Sequence, residues 1–359
     1  MNPKALEIAP LLRGLSFDGE KGDIIVYRDN LNNAELTCTA EELAGQFKKG
    51  MRSVAIEGVG AFLLGEDYDD ALNGTSSAPR LGGRAGVVNN KVCVVTGGAQ
   101  GFGEEFVREL VGNGAIVFIA DINVEGANRL AKELNGQQGR TKAFGISVDV
   151  TDEDSVISMV SCIVELVGGI DLFISNAGVL KAASVKKQSL RDFTFVTQVN
   201  YIGFFLCTKH VAPVMERMNR PSGNYFTDII SISSKSALEG SNKNGAYAGS
   251  KFGSVGLVQS FAKELVVDNT KVNTICPGNF FDGPLWSDPE TGLFVQYLNT
   301  GKVPGAETLD AVRHHYEAQV PMLRGCNGVD VIRAILYAVE QKYETGQAIP
   351  VTGGQVMLN

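Results

Sequence analysis

From residue 90 onward the sequence alternates short runs of β-branched residues with amphipathic helical stretches. This alternation is typical of a parallel β-sheet that is covered by helices on both faces. It predicts an α/β, Rossmann-type domain with a doubly wound parallel seven-stranded sheet, whose ligands bind at the carboxyl ends of the strands. We expect the strands at residues 91–96, 115–121, 142–148, 170–175, 226–231, 271–275 and 347–351.

The first 75 residues differ in composition from the rest of the chain. They hold 7 Lys and Arg against 13 Asp and Glu, so they carry a net charge of −6 out of the −8 of the whole chain. Residues 76–89 are rich in turn formers and poor in large apolar residues, which indicates a linker. We therefore expect an N-terminal extension at 1–75, a linker at 76–89 and the main domain at 90–359.

The N-terminal extension shows signals for both kinds of secondary structure. A capping-box pattern at residues 39–42 predicts a helix that ends near Gly50, with strands at 23–27 and 53–59. About 75 residues are marginal for an independent core. We expect a small α+β unit that packs on the main domain or contributes to an oligomer interface.

A glycine-rich turn, residues 96–103, follows the first strand of the main domain and precedes a helix. Glycines permit a sharp turn and let the backbone approach a pyrophosphate, which the helix N-terminus attracts. The alternative is a helix-packing turn without a ligand. The expected cofactor-binding residues of this turn are Gly97, Gln100, Gly101, Phe102 and Gly103.

Asp121 ends the second strand of the main domain, about twenty residues after the glycines. A carboxylate at this place accepts hydrogen bonds from both ribose hydroxyls of an adenosine and repels a 2′-phosphate. The sequence therefore favours NAD over NADP as the cofactor. Asp121 could also cap the helix that begins near Val124, and the two roles are compatible.

Tyr247 and Lys251 are spaced at i and i+4, so they share one face of a helix. A phenol has an unperturbed pKa of about 10, and a neighbouring ammonium group favours its ionised form. The positive ring of a bound cofactor could add to this effect. An isolated pair of this kind is also expected by chance, and a surface helix pair is then the alternative. Ser234, thirteen residues before the tyrosine, completes the hypothesis of a hydride-transfer site.

In order and spacing, these residues resemble the short-chain dehydrogenase/reductase family across residues 90–359. The resemblance implies that Ser234 binds the substrate oxygen, Tyr247 removes the hydroxyl proton, and Lys251 ionises the tyrosine and holds the nicotinamide ribose. It also implies that Asn200 kinks its helix and holds a water of the proton relay. Ser233 competes with Ser234, and the family spacing favours Ser234. Asn200 could instead be a helix-surface amide.

The same resemblance implies further cofactor contacts. Asp149 and Val150 are expected to hold the adenine, and Pro277 and Gly278 to flank the nicotinamide. Asn176 could be a plain turn residue, and Asp149 could be a cap before the following helix. The residues expected to line the cofactor and brace the sheet are Asn176, Ala177 and Gly178.

The substrate is expected to bind under the segment at 279–326. A finer resemblance, over residues 234–236, 253–257, 320–326 and 351–357, is to the sorbitol-6-phosphate 2-dehydrogenases. It implies NAD-dependent interconversion of a hexitol phosphate and fructose 6-phosphate. Phe280, Phe281, Leu285, Trp286, Phe294 and Tyr297 could form an apolar lid or pack the segment onto the domain. Lys235, Lys243 and Arg324 are candidate phosphate ligands, or solvated surface charges.

Several classes of partner are excluded by composition. The net charge of −8 and the lack of a basic run argue against nucleic acid or an anionic membrane surface. No apolar run approaches the ~18 residues of a membrane span, and no signal peptide is present, so we expect a cytoplasmic protein. The six cysteines show no disulfide framework, and the three histidines show no metal-site spacing, so we expect no metal.

Residues 52–71 weakly resemble the tail of class II sugar-phosphate aldolase domains. That family binds its metal through histidines, and the first histidine here is His210. We therefore expect a non-catalytic remnant or docking element, and not a bifunctional aldolase-dehydrogenase. The resemblance of the main domain implies a homo-oligomer, a tetramer or a dimer, built on the helices near Asn200 and Tyr247.

The leading hypothesis is an NAD-dependent oxidoreductase that interconverts a secondary alcohol and a ketone of a sugar alcohol or sugar phosphate. One alternative is a dehydrogenase or reductase of an unphosphorylated polyol or another small carbonyl compound. An alternative of a different class is a catalytically silent cofactor-binding protein.

Overall fold

The structure is a computed structural model that describes residues 2–299 and 301–357. The first of its two sheets has four strands in the order β1-β4-β3-β2, with β2 and β3 parallel and the other pairs antiparallel. The elements of this N-terminal unit are α1 (Ala5–Leu15), β1 (Ile24–Arg28), β2 (Leu36–Cys38), α2 (Leu43–Gln46), β3 (Ser53–Ile56), β4 (Gly60–Gly65) and α3 (Tyr68–Asn73).

The capping-box helix is shorter than the sequence predicts. The Thr39 N–H does donate to Glu42 Oε2, at 3.1 Å, as a capping box requires. The helix nevertheless has only four residues, because Phe47 adopts an extended conformation and packs against the core. The prediction that it continues to Gly50 is therefore wrong.

The second sheet has seven parallel strands in the order β11-β10-β9-β8-β5-β6-β7. This arrangement confirms the predicted Rossmann-type fold, and every predicted strand is present to within two residues at each end. The strands are β5 (Val92–Thr96), β6 (Ile116–Asp121), β7 (Ala143–Ser147), β8 (Leu172–Ser175), β9 (Thr227–Ile232), β10 (Thr270–Pro277) and β11 (Ala348–Val351).

Helices cover both faces of this sheet. Side chains of β5 alternate between two cores, because successive residues of a strand point to opposite faces: Val92 and Val94 enter one, Cys93 and Val95 the other. The second core contains α4 (Gly101–Gly112), α5 (Val124–Gln138) and α13 (Gly328–Glu340). The first contains α6 (Glu153–Val167), α8 (Gly203–Asn219) and α9 (Gly245–Leu265), with α7 (Leu190–Thr197) preceding α8.

The segment between β10 and α13 has a small core of its own. It holds three short helices, α10 (Pro284–Ser287), α11 (Leu293–Asn299) and α12 (Leu309–Glu317). Phe281, Trp286, Phe294 and Tyr297 are buried together there, so most of the predicted lid residues pack the segment. Leu285 is instead 48% exposed and lines the functional cavity described below. Residue 300 of this segment lies outside the described residues.

The N-terminal unit shares one hydrophobic core with α6 and α8 of the main domain. A buried ion pair lies in this contact: Arg13 Nη2 is 2.5 Å from Asp171 Oδ2, with side chains 0% and 1% exposed. Asp171 Oδ1 accepts a hydrogen bond from the Tyr225 hydroxyl at 2.6 Å, and that hydroxyl accepts one from the Gly22 N–H. Burial alone would raise the pKa of Asp171, but the charges of Arg13 and Lys91 and the hydrogen bond from Tyr225 lower it. The two units are therefore joined through a charge network that excludes water.

Several large apolar side chains remain exposed on α7, α8 and α9. They include Leu190, Phe193, Phe205 and Phe252. This is the face on which the sequence predicts subunit contacts.

We predict that Arg13→Met lowers the free energy of unfolding by about 3–5 kcal/mol, because it leaves the Asp171 carboxylate buried without its counter-ion. Urea denaturation at a fixed protein concentration measures the change. Arg220→Met is the matched control, since Arg220 pairs with Glu216 on the surface and its loss costs less than about 1 kcal/mol. Equal effects of the two substitutions would contradict the structural role of the Arg13 pair.

Candidate active site

The carboxyl ends of the central strands border one cavity of about 540 Å³. Parallel strands end at the same edge of a sheet, so residues from distant parts of the chain meet there. Of the predicted site residues, Gly103, Asn200, Lys243 and Arg324 are not in its wall. The predicted residues that line it are Gly97, Gln100, Gly101, Phe102, Asp121, Asp149, Val150, Asn176, Ala177, Gly178, Ser234, Lys235, Tyr247, Lys251, Pro277 and Gly278.

The glycine turn has the backbone shape that a phosphate-binding loop needs. Gly97 and Gly101 adopt φ angles of 62° and 59°, which favour glycine. A Cβ atom at Gly103 would collide with the Gly97 carbonyl oxygen, so only glycine fits where α4 crosses the turn. No side chain caps the N-terminus of α4. These features leave room for a pyrophosphate at the helix N-terminus.

Thr96 and Asn176 join the ends of two neighbouring strands. Thr96 Oγ1 accepts hydrogen bonds from the N–H groups of Asn176 and Ala177, at 3.0 and 3.1 Å. Asn176 Nδ2 donates to the carbonyl oxygens of Thr96 and Gly97, at 3.0 and 3.1 Å. The Asn-Ala-Gly segment therefore fixes the glycine turn as well as lining the cavity.

The Asp121 carboxylate is held in place by backbone groups. Its Oδ2 accepts from the Ala99 N–H at 3.0 Å and its Oδ1 accepts from the Asn123 N–H at 2.8 Å. Asn123, and not Asp121, caps α5 by accepting from the Gly126 N–H. The alternative role of Asp121 as a helix cap is therefore wrong, and its carboxylate faces the cavity.

Asp149 and Val150 form the next part of the wall. Asp149 Oδ1 accepts from the Thr151 N–H and hydroxyl, at 2.9 and 2.7 Å. Asp149 is therefore a cap before Thr151, as the alternative proposed, whereas the following helix α6 is capped by Asp152. Asp149 also lines the cavity, so the two roles are compatible.

Asn200 lies in a π-helical turn, Gln198–Ile202, between α7 and α8. Its Oδ1 accepts from the Val179 N–H at 2.8 Å, and its Nδ2 donates to the Val179 carbonyl at 2.9 Å and to Ser250 Oγ at 3.1 Å. Turns of this kind are frequent at functional sites. Asn200 thus connects the loop after β8 to α9, behind the cavity wall.

Ser234, Tyr247 and Lys251 meet at the end of β9. Ser234 and Tyr247 both line the cavity there, and the Ser234 hydroxyl is close enough to lower the pKa of the Tyr247 phenol. Lys251 Nζ donates to the Ile232 carbonyl at 2.8 Å and lies 5.7 Å from the centroid of the Tyr247 ring. Ser233 is turned away, since its hydroxyl donates to the Lys251 carbonyl at 3.3 Å.

Burial is the largest influence on the pKa values of this pair. It raises the pKa of Tyr247, although the hydrogen bond with Ser234 lowers it. It lowers the pKa of Lys251 to about 8, against a smaller opposite effect of Cys276. Burial thus opposes the ionised form of both groups, and a charged ligand in the cavity would shift both equilibria.

The candidate phosphate ligands are placed differently from one another. Lys235 lines the cavity, and Lys243 lines an adjoining groove. Arg324 lies outside both and forms an ion pair with Asp330 at 2.6 Å. Sequence reasoning missed Asn244, Lys302 and Gln355, which also line the cavity. No local pattern marks them, because each reaches the site only through tertiary folding.

The sequence model of the short chain dehydrogenases matches residues 91–286. The chain belongs to this family. Members are oxidoreductases that act on CH–OH groups with nicotinamide cofactors. Within residues 2–299 and 301–357, no cluster of three or more His, Cys, Asp or Glu could hold a metal ion. None of the helices described is both long and apolar enough to cross a membrane.

Among similar proteins, the sorbitol-6-phosphate 2-dehydrogenase of Escherichia coli K12 is 37% identical over 271 residues, which cover 75% of this chain and 99% of that enzyme. The crystal structure of sorbitol-6-phosphate 2-dehydrogenase from Erwinia amylovora is 38% identical with a TM-score of 0.68, and the match covers 74% of this chain and 100% of that one. A 3-oxoacyl-(acyl-carrier-protein) reductase of Thermotoga maritima is 30% identical over 272 residues, 75% of this chain and 99% of that protein.

We predict that Gly103→Ala weakens binding of a reduced nicotinamide cofactor by at least about tenfold, because the new methyl group displaces the turn. Fluorescence titration with the cofactor measures the loss. Gly112→Ala, in the same helix, is the matched control, since a Cβ there meets no atom within 4 Å. The phosphate-binding role of the turn is contradicted if both variants bind as the unsubstituted protein does.

Proposed function

We propose that this protein is an NAD-dependent dehydrogenase that interconverts a secondary alcohol and a ketone on a sugar alcohol or its phosphate ester. The observation that carries the proposal is the placement of Ser234, Tyr247 and Lys251 together in the wall of one cavity, which Asp121 also lines. The similarity to two sorbitol-6-phosphate 2-dehydrogenases supports the choice of substrate class.

The residues of the chain perform the proton transfer and the positioning. The Ser234 hydroxyl holds the substrate oxygen, and the ionised Tyr247 phenol removes the hydroxyl proton. Lys251, fixed by the Ile232 carbonyl, favours the ionised phenol when its ammonium group is charged. A nicotinamide cofactor, held by the residues of the cavity wall, would supply the acceptor for the hydride of the carbinol carbon. Asn200 orders the loop and helix that hold these groups.

NAD is proposed as the cofactor on the geometry of Asp121. Two backbone N–H groups hold this carboxylate at the end of β6, so it is ready to accept bonds from ribose hydroxyls. The adjoining Gly97, Gly101 and Gly103 suit the pyrophosphate. Asp149, Val150, Pro277 and Gly278 complete the wall for the two rings.

We propose that the N-terminal unit is a docking element without catalytic groups. The residues that line the cavity begin at Gly97, so none of them comes from this unit. It contacts the main domain through the core around Arg13 and Asp171 and through the ion pair of Asp67 with Arg140.

We predict that Tyr247→Phe lowers kcat for polyol oxidation by about 10²- to 10⁴-fold, because the variant lacks the group that accepts the proton. NADH formation with sorbitol, sorbitol 6-phosphate and other small secondary alcohols measures turnover. Cofactor affinity should stay within about threefold, since the ring remains in place. Unchanged turnover in the variant would falsify the mechanism, and turnover of no polyol by the unsubstituted protein would favour another small carbonyl substrate or a silent cofactor-binding protein.

We predict that Asp121→Ala lowers kcat/KM for NAD by about 10- to 100-fold, through loss of charged hydrogen bonds to the ribose, and raises the relative use of NADP. Initial rates with each cofactor measure the preference. Glu125→Ala is the control, because Glu125 is exposed on the first turn of α5 and lies outside the cavity wall. If both variants change the preference equally, general charge and not ribose binding is responsible.

A further inference from the structure

Three lysines surround one end of the cavity without an acidic partner. Lys235 and Lys302 line the cavity, and Lys243 lines the adjoining groove, to which Ser241 is common. Lysine ion pairs elsewhere join Lys209 to Glu153 and Lys271 to Asp228. Within residues 2–299 and 301–357, none of these three lysines forms an ion pair. The charge of Glu239 only partly offsets the lowering of the Lys235 pKa by burial.

The side chain of Lys302 is held in position. Its Nζ lies 3.7 Å from the centroid of the Tyr297 ring, a cation–π contact. Tyr297 is itself buried against Trp286 and lines the cavity together with Asn244, three residues before Tyr247. Lys302 is therefore fixed to the same wall that carries the proton acceptor, and not to a free loop.

The three positive charges repel one another. Burial lowers the pKa of Lys302, and the charges of Lys243 and Lys235 lower it further. Burial also lowers the pKa of Lys235. A cluster of this kind is unfavourable by itself and becomes favourable when an anion binds between the ammonium groups.

Two buried side-chain oxygens indicate that the ligand carries hydrogen-bond donors. Asn244 Oδ1 and Gln355 Oε1 are buried without a hydrogen-bond partner among the described residues, and both residues line the cavity. Asn244 Nδ2 is engaged with Ser241 Oγ at 3.1 Å. Buried acceptors of this kind need donors, and the hydroxyl groups of a polyol supply them.

We propose that Lys235, Lys243 and Lys302 bind the terminal phosphate of a phosphorylated polyol, while Asn244 and Gln355 accept hydrogen bonds from its hydroxyls. The inference rests on the proposed function and specifies its substrate. A phosphate monoester has three terminal oxygens and nearly two negative charges, which suits three ammonium donors better than a carboxylate does. Arg324 takes no part, because it pairs with Asp330 outside the cavity.

The test measures binding apart from turnover. Calorimetric titration of the full chain carrying Tyr247→Phe, with NADH present, gives the dissociation constants of sorbitol 6-phosphate and of sorbitol. We expect Lys302→Met in this background to weaken sorbitol 6-phosphate binding by about 10- to 100-fold and to leave sorbitol binding within about twofold. Lys302→Arg should restore most of the affinity, because it restores the charge. Thermal unfolding checks that each variant is folded.

Lys263→Met is the matched control, since Lys263 is exposed near the end of α9 and lies outside the cavity. It should leave both dissociation constants unchanged. The proposal is overturned if the protein with Lys302 intact binds sorbitol 6-phosphate no better than sorbitol, if Lys302→Met weakens both ligands equally, or if the control has the same effect. A six-carbon aldonic acid that binds as tightly as the phosphate would also overturn the phosphate assignment. If the unsubstituted protein oxidises neither sorbitol nor sorbitol 6-phosphate, the proposed reaction is refuted. The dissociation constants still decide whether the lysines bind a phosphate.

Discussion

The common direction of seven strands is the constraint on which the rest of the structure depends. Because β5, β6, β8, β9 and β10 all end at one edge, the glycine turn, Asp121, the Asn-Ala-Gly segment and Ser234 become neighbours. Parallel strands bury their backbone polar groups in the ladder, so the loops at this edge are free to carry the chemistry. The bond network of Thr96 with Asn176 then makes the edge rigid, since it ties the turn after β5 to the loop after β8.

The opposite edge of the same sheet carries buried charge. Asp171 precedes β8, Asp228 lies near the start of β9, and Lys271 near the start of β10. Lys271 Nζ is 3.0 Å from Asp228 Oδ1, while Asp171 is paired with Arg13 from the N-terminal unit. A buried carboxylate without a counter-ion would destabilise the main domain. The N-terminal unit therefore stabilises the main domain by supplying the arginine. About a quarter of this chain has no counterpart in the E. coli enzyme, yet part of it completes the core of the shared domain.

Sequence patterns predict what depends on neighbours along the chain. The strands, the glycine turn and the spacing of Ser234, Tyr247 and Lys251 are of this kind, and the structure places them as strand ends and helix faces require. Helix α1 was not predicted, because Pro10 within it argues against a helix despite the apolar spacing of its buried face. Helix α2 is shorter than predicted because Phe47 leaves the helical conformation and packs its side chain against the core. Lys302 and Gln355 could not be predicted, since only the tertiary fold brings their segments to the cavity.

Ligands of opposite charge would shift the protonation states of two groups of residues in the cavity. Burial raises the pKa of the Tyr247 phenol and lowers that of the Lys251 ammonium, so burial opposes the ionised form of both groups. A positive charge brought in beside the Tyr247 phenol would shift its equilibrium toward the phenolate. An anion bound among Lys235, Lys243 and Lys302 would instead favour the protonated form of these lysines. The two ends of the cavity therefore respond to ligands of opposite charge, one cationic beside Tyr247 and one anionic beside Lys302. A substrate that bridges them places its reacting carbon at a fixed distance from its anionic end, and this distance would decide which hydroxyl is oxidised.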